Sequence, residues 1–509
     1  MARRVAYLSV DDRKAKGLEA RDRALPSGHA GWKPATGRPD PVDLLVEQET
    51  TREPDLVPVR HGRMMVSPFT FYRGAAKIMA ADLAATPVAG LEAQLCGDAH
   101  LSNFGAFASP ERRLLFDLND FDETLPGPFE YDVKRMAASF TIAARNNGFS
   151  PADTRAATLE SVRAYRAAMA SFAQMGTMDV WYAHLDEDEL RTGIRNAVAG
   201  VSVKEKAAAK TAKADKRAKA PRKAEKQAVK QEKADRRQEK AARTAEKRAE
   251  KQLEKAHTRD SHQALSKLCE AVDGKYRIVS QPPVVIPGRD LAATYGMSAA
   301  AVIPQLYDVF RAYRDTLPDD RRKLVERFEV VDAARKVVGV GSVGTRCFII
   351  LLQGRDAQDP LFLQVKEATA SVLEPYVRRS RYRQHGERVV QGQLMMQAAS
   401  DIYLGWTKGL DVKRHYYWRQ LRDMKGSAIV EAMVPLGLNY YAQICGWTLA
   451  RAHARSGDPV AIAEYLGETD AFDKSITDFA ARYADQNEQD YEEFVDAVKS
   501  GRLEAREGI

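Results

Sequence analysis

Apolar positions along the chain fall into helical and strand-like regimes. From Phe69 the period is helical, with Ala75, Ile78, Met79 and Leu83 on one face. The short run from Leu91 to Cys96 predicts a strand entering the polar turn GDAHLSNFG. A loop, ASPERR, and the run Leu114, Leu115, Phe116 then predict a hairpin that feeds the acidic stretch DLNDFDE. After Pro126, Gly127 and Pro128, residues 131–147 predict a helix whose apolar face holds Val133, Met136, Ala137, Phe140 and Ile142. From about residue 328 strands dominate: VVGVGSVGTRCFIILLQG predicts two β runs around a glycine turn, and LFLQVKEA a third. Residues 386–400 predict a helix, and IYLGWT and HYYWRQL two more strands. LNYYAQICGWTLARAHARSG predicts a long helix closed by Gly457, with Pro459 two residues on. Residues 1–60, interrupted by Pro34, Pro39, Pro41, Pro54 and Pro58, predict an irregular arm.

Composition changes this picture in one place. The 509 residues are 44% hydrophobic, enough for a large core, and carry a formal charge of +8. Between Lys204 and Lys255 stand 20 Lys or Arg against nine Asp or Glu, a local net of +11 that leaves the remainder at −3. The basic pI near 9.1 is therefore the property of one Ala/Lys/Glu-rich segment, expected to be a solvated helix or disordered. A nucleic-acid or other anionic partner is expected only through that segment. Four scattered cysteines without a CxxC pair, no signal-like core after Arg3 and Arg4, and no 18-residue apolar run together predict a reduced, cytoplasmic protein without a membrane span.

Three constellations can carry chemistry. In GDAHLSN, Asp98 and Asn103 lie five residues apart on a turn, a spacing that lets a carboxylate face a substrate hydroxyl while an amide oxygen reaches a metal. Fourteen residues beyond Asn103 comes Asp117, with Asp120 and Asp122 behind it. Carboxylates so close repel unless a cation compensates, and oxygen-only ligands suit Mg2+ or Mn2+. GVGSVG, with Gly339, Gly341, Ser342 and Gly344, precedes strand-forming residues rather than a helix, so its backbone can lie over triphosphate oxygens. Lys366, 27 residues after Gly339, sits inside an apolar run where an ammonium needs an anion, and Glu387, 21 residues farther on, is the expected partner. The structural alternatives are a capped acidic loop, an ordinary tight hairpin and an edge lysine. Asp458 in AHARSGD has only Ala463 five residues on, so Asp98 is preferred. His453 has no second histidine nearby and is expected on a helix face.

GDAHLSNFG resembles the catalytic loop of protein-kinase-like and aminoglycoside-phosphotransferase-like enzymes, and LLFDLNDFDE their metal-binding strand end. FEYDVKRMAAS resembles the helix that carries their structural aspartate, here Asp132. More closely, SPFTFYRGAA, GDAHLSNFG, FDLNDFDETLPGPFEYDVKR, VGVGSVGTRC, LQVKEA and GERVVQGQ resemble the DUF2252 family of bacterial proteins over most of residues 25–500. The glycine segment and lysine follow the catalytic loop here, the reverse of kinase order. The resemblance thus implies an α+β, two-lobed, circularly permuted kinase-like fold. Its parts would be an arm (1–60), part of a large lobe (61–202), the basic insertion (203–256), a helical connection (257–329), a small nucleotide-binding lobe (330–425) and the helical rest of the large lobe (426–509). It implies an ATP-dependent phosphotransferase: Lys366 and Gly339–Gly344 on the phosphates, Glu387 orienting Lys366, and Asn103 with Asp117, or Asp120 or Asp122, on Mg2+. Asp98 would face an unknown hydroxyl acceptor. The alternatives are a non-catalytic nucleotide-binding scaffold, a nucleotidyl transferase, or a metal-dependent phosphoesterase built on Asp98, His100, Asn103, Asp117 and Asp120.

Overall fold

The computed structural model describes residues 7–199, 240, 243–272, 275–296, 298–337, 339–411, 413–421 and 423–508. The described chain is a mixed α/β protein whose sheets are antiparallel. In its first half, β1 (Glu92–Leu95) pairs with β4 (Leu125–Pro128). Between them, β2 (Phe104–Ala108) and β3 (Leu114–Leu118) form the predicted hairpin, extended by β5 (Leu185–Asp186). Most of the basic insertion, through residue 239, lies outside the described residues, and residues 243–257 are helical. A small hairpin, β6 (Cys269–Val272) with β7 (Lys275–Ile278), follows.

The second half builds a six-stranded sheet from β8 (Val285–Pro287), β9 (Glu329–Lys336), β10 (Cys347–Gln353), β11 (Pro360–Ala368), β12 (Gly405–Lys408) and β13 (His415–Gln420). Its order is β12-β13-β11-β10-β9-β8, with β11 central. Side chains alternate between the two faces of a strand. Ile350, Leu352, Leu363 and Val365 accordingly pack with Phe310, Tyr313 and Trp418 under the helix Val302–Arg314. Ile349, Leu351 and Phe362 pack on the opposite side against Leu265 and Leu268. Tyr313 stacks on Trp418 with centroids 4.4 Å apart, an aromatic pair that adds about 1 kcal/mol beyond burial. After β13 the chain crosses to the other sheet, where β14 (Gly426–Ser427) pairs with β2.

The largest core surrounds the helix Phe129–Asn146, enclosed by the helices Pro151–Phe172, Pro435–Ser456 and Ala471–Lys499. It is buried nearly all round, so its polar residues must find partners. Lys134, for one, donates to Thr86 and to the Pro87 carbonyl.

The arm is not irregular. It contains the helices Val10–Arg23, Pro41–Glu49 and Val57–Met64. Pro41, Pro54 and Pro58 stand in the first turns of helical segments, where a missing N–H costs nothing. Arg38 fastens the arm to the body through Asp82 (2.6 Å) and Asp490 (2.6 Å). Nor is the connection 257–329 purely helical, since it supplies β6, β7 and the edge strand β8. His453, as expected, lies on a helix face, buried against Tyr165 and Asp132. Asp458 caps the helix Pro459–Leu466.

Candidate functional site

The turn after β1 is shaped by contacts made before any ligand is considered. The Asp132 carboxylate accepts hydrogen bonds from Cys96 N (2.6 Å) and Gly97 N (3.0 Å), fixing the turn on the central helix. Gly97 has φ +84°, and a Cβ there would lie 2.2 Å from the Glu123 carbonyl oxygen. Only glycine lets this turn meet the acidic loop. Within the turn, Asn103 Nδ2 donates to the Asp98 carbonyl (2.6 Å), which leaves the amide oxygen unspent. Arg135 Nε donates to Asp98 Oδ1 (2.7 Å) while its guanidinium covers the Tyr72 ring at 3.8 Å. Burial nonetheless holds the Asp98 carboxyl above the usual range. His100 lies 3.7 Å from Asp98 Oδ2, and burial, with Arg135 and Arg73 nearby, keeps its imidazole neutral.

The acidic loop after β3 divides its carboxylates between two tasks. Asp117, 1% exposed, is taken up by Arg451, Ala398 N (2.9 Å) and Leu118 N (2.9 Å). It does not face the cleft, so the sequence expectation of a metal ligand there is corrected. Asp120 and Asp122 do face it. Lys366, 2% exposed on the central strand, points away from the Leu363–Val365 face and lies 2.6 Å from Asp122 Oδ2 and 3.6 Å from Asp120 Oδ1. Burial opposes the lysine's charge, but the two carboxylates hold it protonated. Tyr417 donates to Asp122 Oδ1 (2.6 Å), so both Asp122 oxygens are engaged.

Glu387 is not the partner of Lys366. It opens the helix His385–Met396, where its backbone N bonds Gln384 Oε1 (2.7 Å), and Asp122 takes the expected place beside the lysine. The helix contributes its next residue instead: Arg388 donates to the carbonyls of Thr124 (2.6 Å), Asp122 (2.7 Å) and Thr369 (2.9 Å), bracing the acidic loop. The glycine segment between β9 and β10 is a single 3-10 turn, Val340–Ser342, with Gly344 at φ +88°. Arg52, from the arm, donates to the carbonyls of Gly341 (3.0 Å) and Val343. Sequence reasoning missed Arg52, Arg73, Arg135, Arg388 and Arg419, the last of which, on the cavity wall, donates to Gln364 Oε1 (2.9 Å) and the Asn119 carbonyl (3.1 Å).

These pieces close around one cavity of about 200 Å³, lined by Asp98, Asn103, Asp120, Asp122, Gly339, Gly341, Ser342 and Lys366. Two cavities of about 410 and 460 Å³ lie elsewhere and are lined mainly by apolar side chains. Among the described residues no three His, Cys, Asp or Glu side chains form a metal cage. Asp120 Oδ1, however, is buried without a hydrogen bond. Together with the unspent Asn103 oxygen it suits Mg2+, which takes one or two protein oxygens and completes its shell with phosphates and water.

Glu123, on the same wall, accepts from Val372 N (2.7 Å), and burial pushes its carboxyl from 4.5 to about 7. Folding therefore takes up a proton in that window. The group contributes stability that is fully present below 4.5 and lost as pH rises through about 7. The Tm of wild type relative to Glu123→Gln is expected to fall across that interval in paired melts, and a difference independent of pH would contradict the assignment.

The family model for DUF2252, described as an uncharacterized protein conserved in bacteria, matches residues 52–236 and 216–497. The chain belongs to the DUF2252 family. No curated protein and no solved structure matches it. The DUF2252 match takes in the whole cavity wall from Arg52 onward, the turn, the acidic loop, the glycine segment and Lys366 included. No helix among the described residues is long and apolar enough to cross a membrane.

Proposed function

We propose that this DUF2252 protein is an ATP-dependent phosphotransferase, with a permuted kinase-like arrangement, acting on a hydroxyl-bearing acceptor. The observation that carries the reading is the meeting of Asp98 and Lys366, 268 residues apart in sequence, in one cavity with the glycine segment and two acidic side chains. The succession of strand, glycine segment, strand, lysine strand, helix and two strands is the order in which a kinase-like nucleotide lobe is built. Asp120 and the Asn103 amide oxygen would hold Mg2+, which neutralises charge on the phosphate oxygens. Lys366 would exchange Asp122 for a phosphate oxygen, and Asp98, oriented by Arg135, would position the acceptor hydroxyl. The acceptor oxygen forms a bond to the terminal phosphorus, the bridging P–O bond breaks, Asp98 takes the hydroxyl proton and ADP departs.

Calorimetric titration with MgATP and a labelled-phosphate transfer assay test this together. Lys366→Ala is expected to weaken nucleotide binding by roughly tenfold to a hundredfold, whereas Glu387→Gln leaves it unchanged. Absence of MgATP binding to the wild type would overturn the reading. Binding without transfer would favour the scaffold, and transfer of label from the α- rather than the γ-position would favour a nucleotidyl transferase. The phosphoesterase alternative needs Asp117, which Arg451 occupies.

A further inference from the structure

Buried arginines near the cavity are, as a rule, matched to carboxylates. Arg60 holds Glu49, Arg135 holds Asp98, Arg335 holds Asp55, Arg346 holds Glu53 and Glu367, and Arg451 holds Asp117. Four depart from the pattern: Arg388 spends its guanidinium on the carbonyls of Thr124, Asp122 and Thr369, Arg419 on Gln364 Oε1 and the Asn119 carbonyl, and Arg52 and Arg73, which line the cavity, are the other two. Arg52 is 7% exposed, gives its guanidinium only to carbonyls, and has a buried Nε without a partner. Arg73 departs further. It makes no hydrogen bond or ion pair among the described residues, its Nε is buried and unpartnered, and its guanidinium carbon stands 6.0 Å from the centre of the Phe69 ring. Arg73 is partly buried, and its terminal nitrogens, without a protein partner on the cavity wall, form a planar fork that suits a phosphate or carboxylate.

Lys366 and Arg73 keep different neighbours on the cavity wall. Lys366 sits among Asp120, Asp122 and Tyr417 and is assigned to the nucleotide phosphates. Arg73 is tied to Asp98 through its neighbour: the Tyr72 carbonyl accepts from Arg135 (2.8 Å), whose Nε holds Asp98 (2.7 Å), and the charge of Arg73 acts on Asp98 and His100. Asp98 itself is already matched to Arg135, so it does not satisfy Arg73. Burial disfavours the charge on Arg73, with only longer-range help from Glu431 and Asp98.

We infer that the acceptor carries an anionic group, a phosphate or a carboxylate, that Arg73 grips while Asp98 faces the hydroxyl to be modified. This rests on the phosphotransferase reading for its term "acceptor", but the anion site itself can be measured without it.

The test is calorimetric titration of the full chain, saturated with Mg2+ and a non-hydrolysable ATP analogue, with inorganic phosphate and separately with acetate. At least one of the two is expected to bind, and Arg73→Gln to weaken it by roughly tenfold to a hundredfold while leaving the affinity for the analogue unchanged. Arg73-dependent binding of phosphate identifies a phosphorylated acceptor, and of acetate alone a carboxylate. No binding of either ion, or binding that Arg73→Gln leaves unaltered, overturns the inference. So does phosphate binding that disappears once the analogue is bound, because Arg73 then serves the nucleotide. Should Arg73→Gln fail to fold, Arg73→Lys, which keeps the charge but loses the fork, is expected to weaken the same ion, and an unchanged affinity overturns the site. If the wild type binds no nucleotide, the phosphotransferase reading fails, and the phosphate and acetate titrations of the free protein still decide whether Arg73 forms an anion site.

Discussion

Replacement of Asp98 by asparagine is expected to slow phosphoryl transfer by roughly 10²- to 10⁴-fold while leaving nucleotide affinity nearly intact. The size follows from the position of the carboxylate. It stands on a turn locked by Asp132, is oriented by Arg135, and is held above the usual carboxylate range by burial, so it is placed to accept a proton. Asparagine keeps the shape and removes the basic oxygen. It also leaves Arg135 without its carboxylate, so turnover must be compared below the variant's own melting temperature. Lys366 and the glycine segment are untouched, hence the unchanged nucleotide affinity. Equal turnover by wild type and variant, under conditions where transfer is seen, would remove Asp98 from this role.

The second large effect concerns stability. Asp117→Ala is expected to cost about 3–5 kcal/mol, because it leaves the Arg451 guanidinium charged, buried and unpaired, a pair in which each side chain is 1% exposed. Urea denaturation would show it as a lowered midpoint with an unchanged slope. Replacing both partners by apolar residues of similar volume, Asp117→Leu with Arg451→Met, should recover much of the loss. Asp120→Asn should behave oppositely, with a small effect on the midpoint and loss of the Mg2+ dependence of nucleotide binding. Were Asp117→Ala to spare stability and abolish that dependence, the division of the acidic loop between a structural and a ligand-facing carboxylate would be wrong.

That division shows where the sequence stops being informative. A strand of alternating exposure reveals which way each residue points, but β3 is buried at all five positions, so its pattern does not distinguish Asp117 from a cleft residue. Its partner Arg451 stands 334 positions away and has no local signal. Lys366 is legible because a charged residue inside LFLQVKEA violates the apolar pattern, and the asymmetry between the Leu363–Val365 face and the Lys366 face is implicit in the period of two. Glu387 and Arg388 differ by one position, which on a helix is a rotation of about 100°. The periodicity reveals that helix but not which of its side chains faces the acidic loop. In the arm, prolines read as helix breakers although several open helices, a distinction that depends on where each helix begins. Arg52 and Arg73 gain significance only from what the fold fails to place beside them.

Arg52 also alters how the molecule can be divided. Since the arm's own guanidinium secures the carbonyls of Gly341 and Val343, a fragment begun at residue 61, however well its helices and sheets assembled, would arrive with the glycine turn untethered and one side of the chamber missing. Removing the arm would thus remove part of the cavity wall with it.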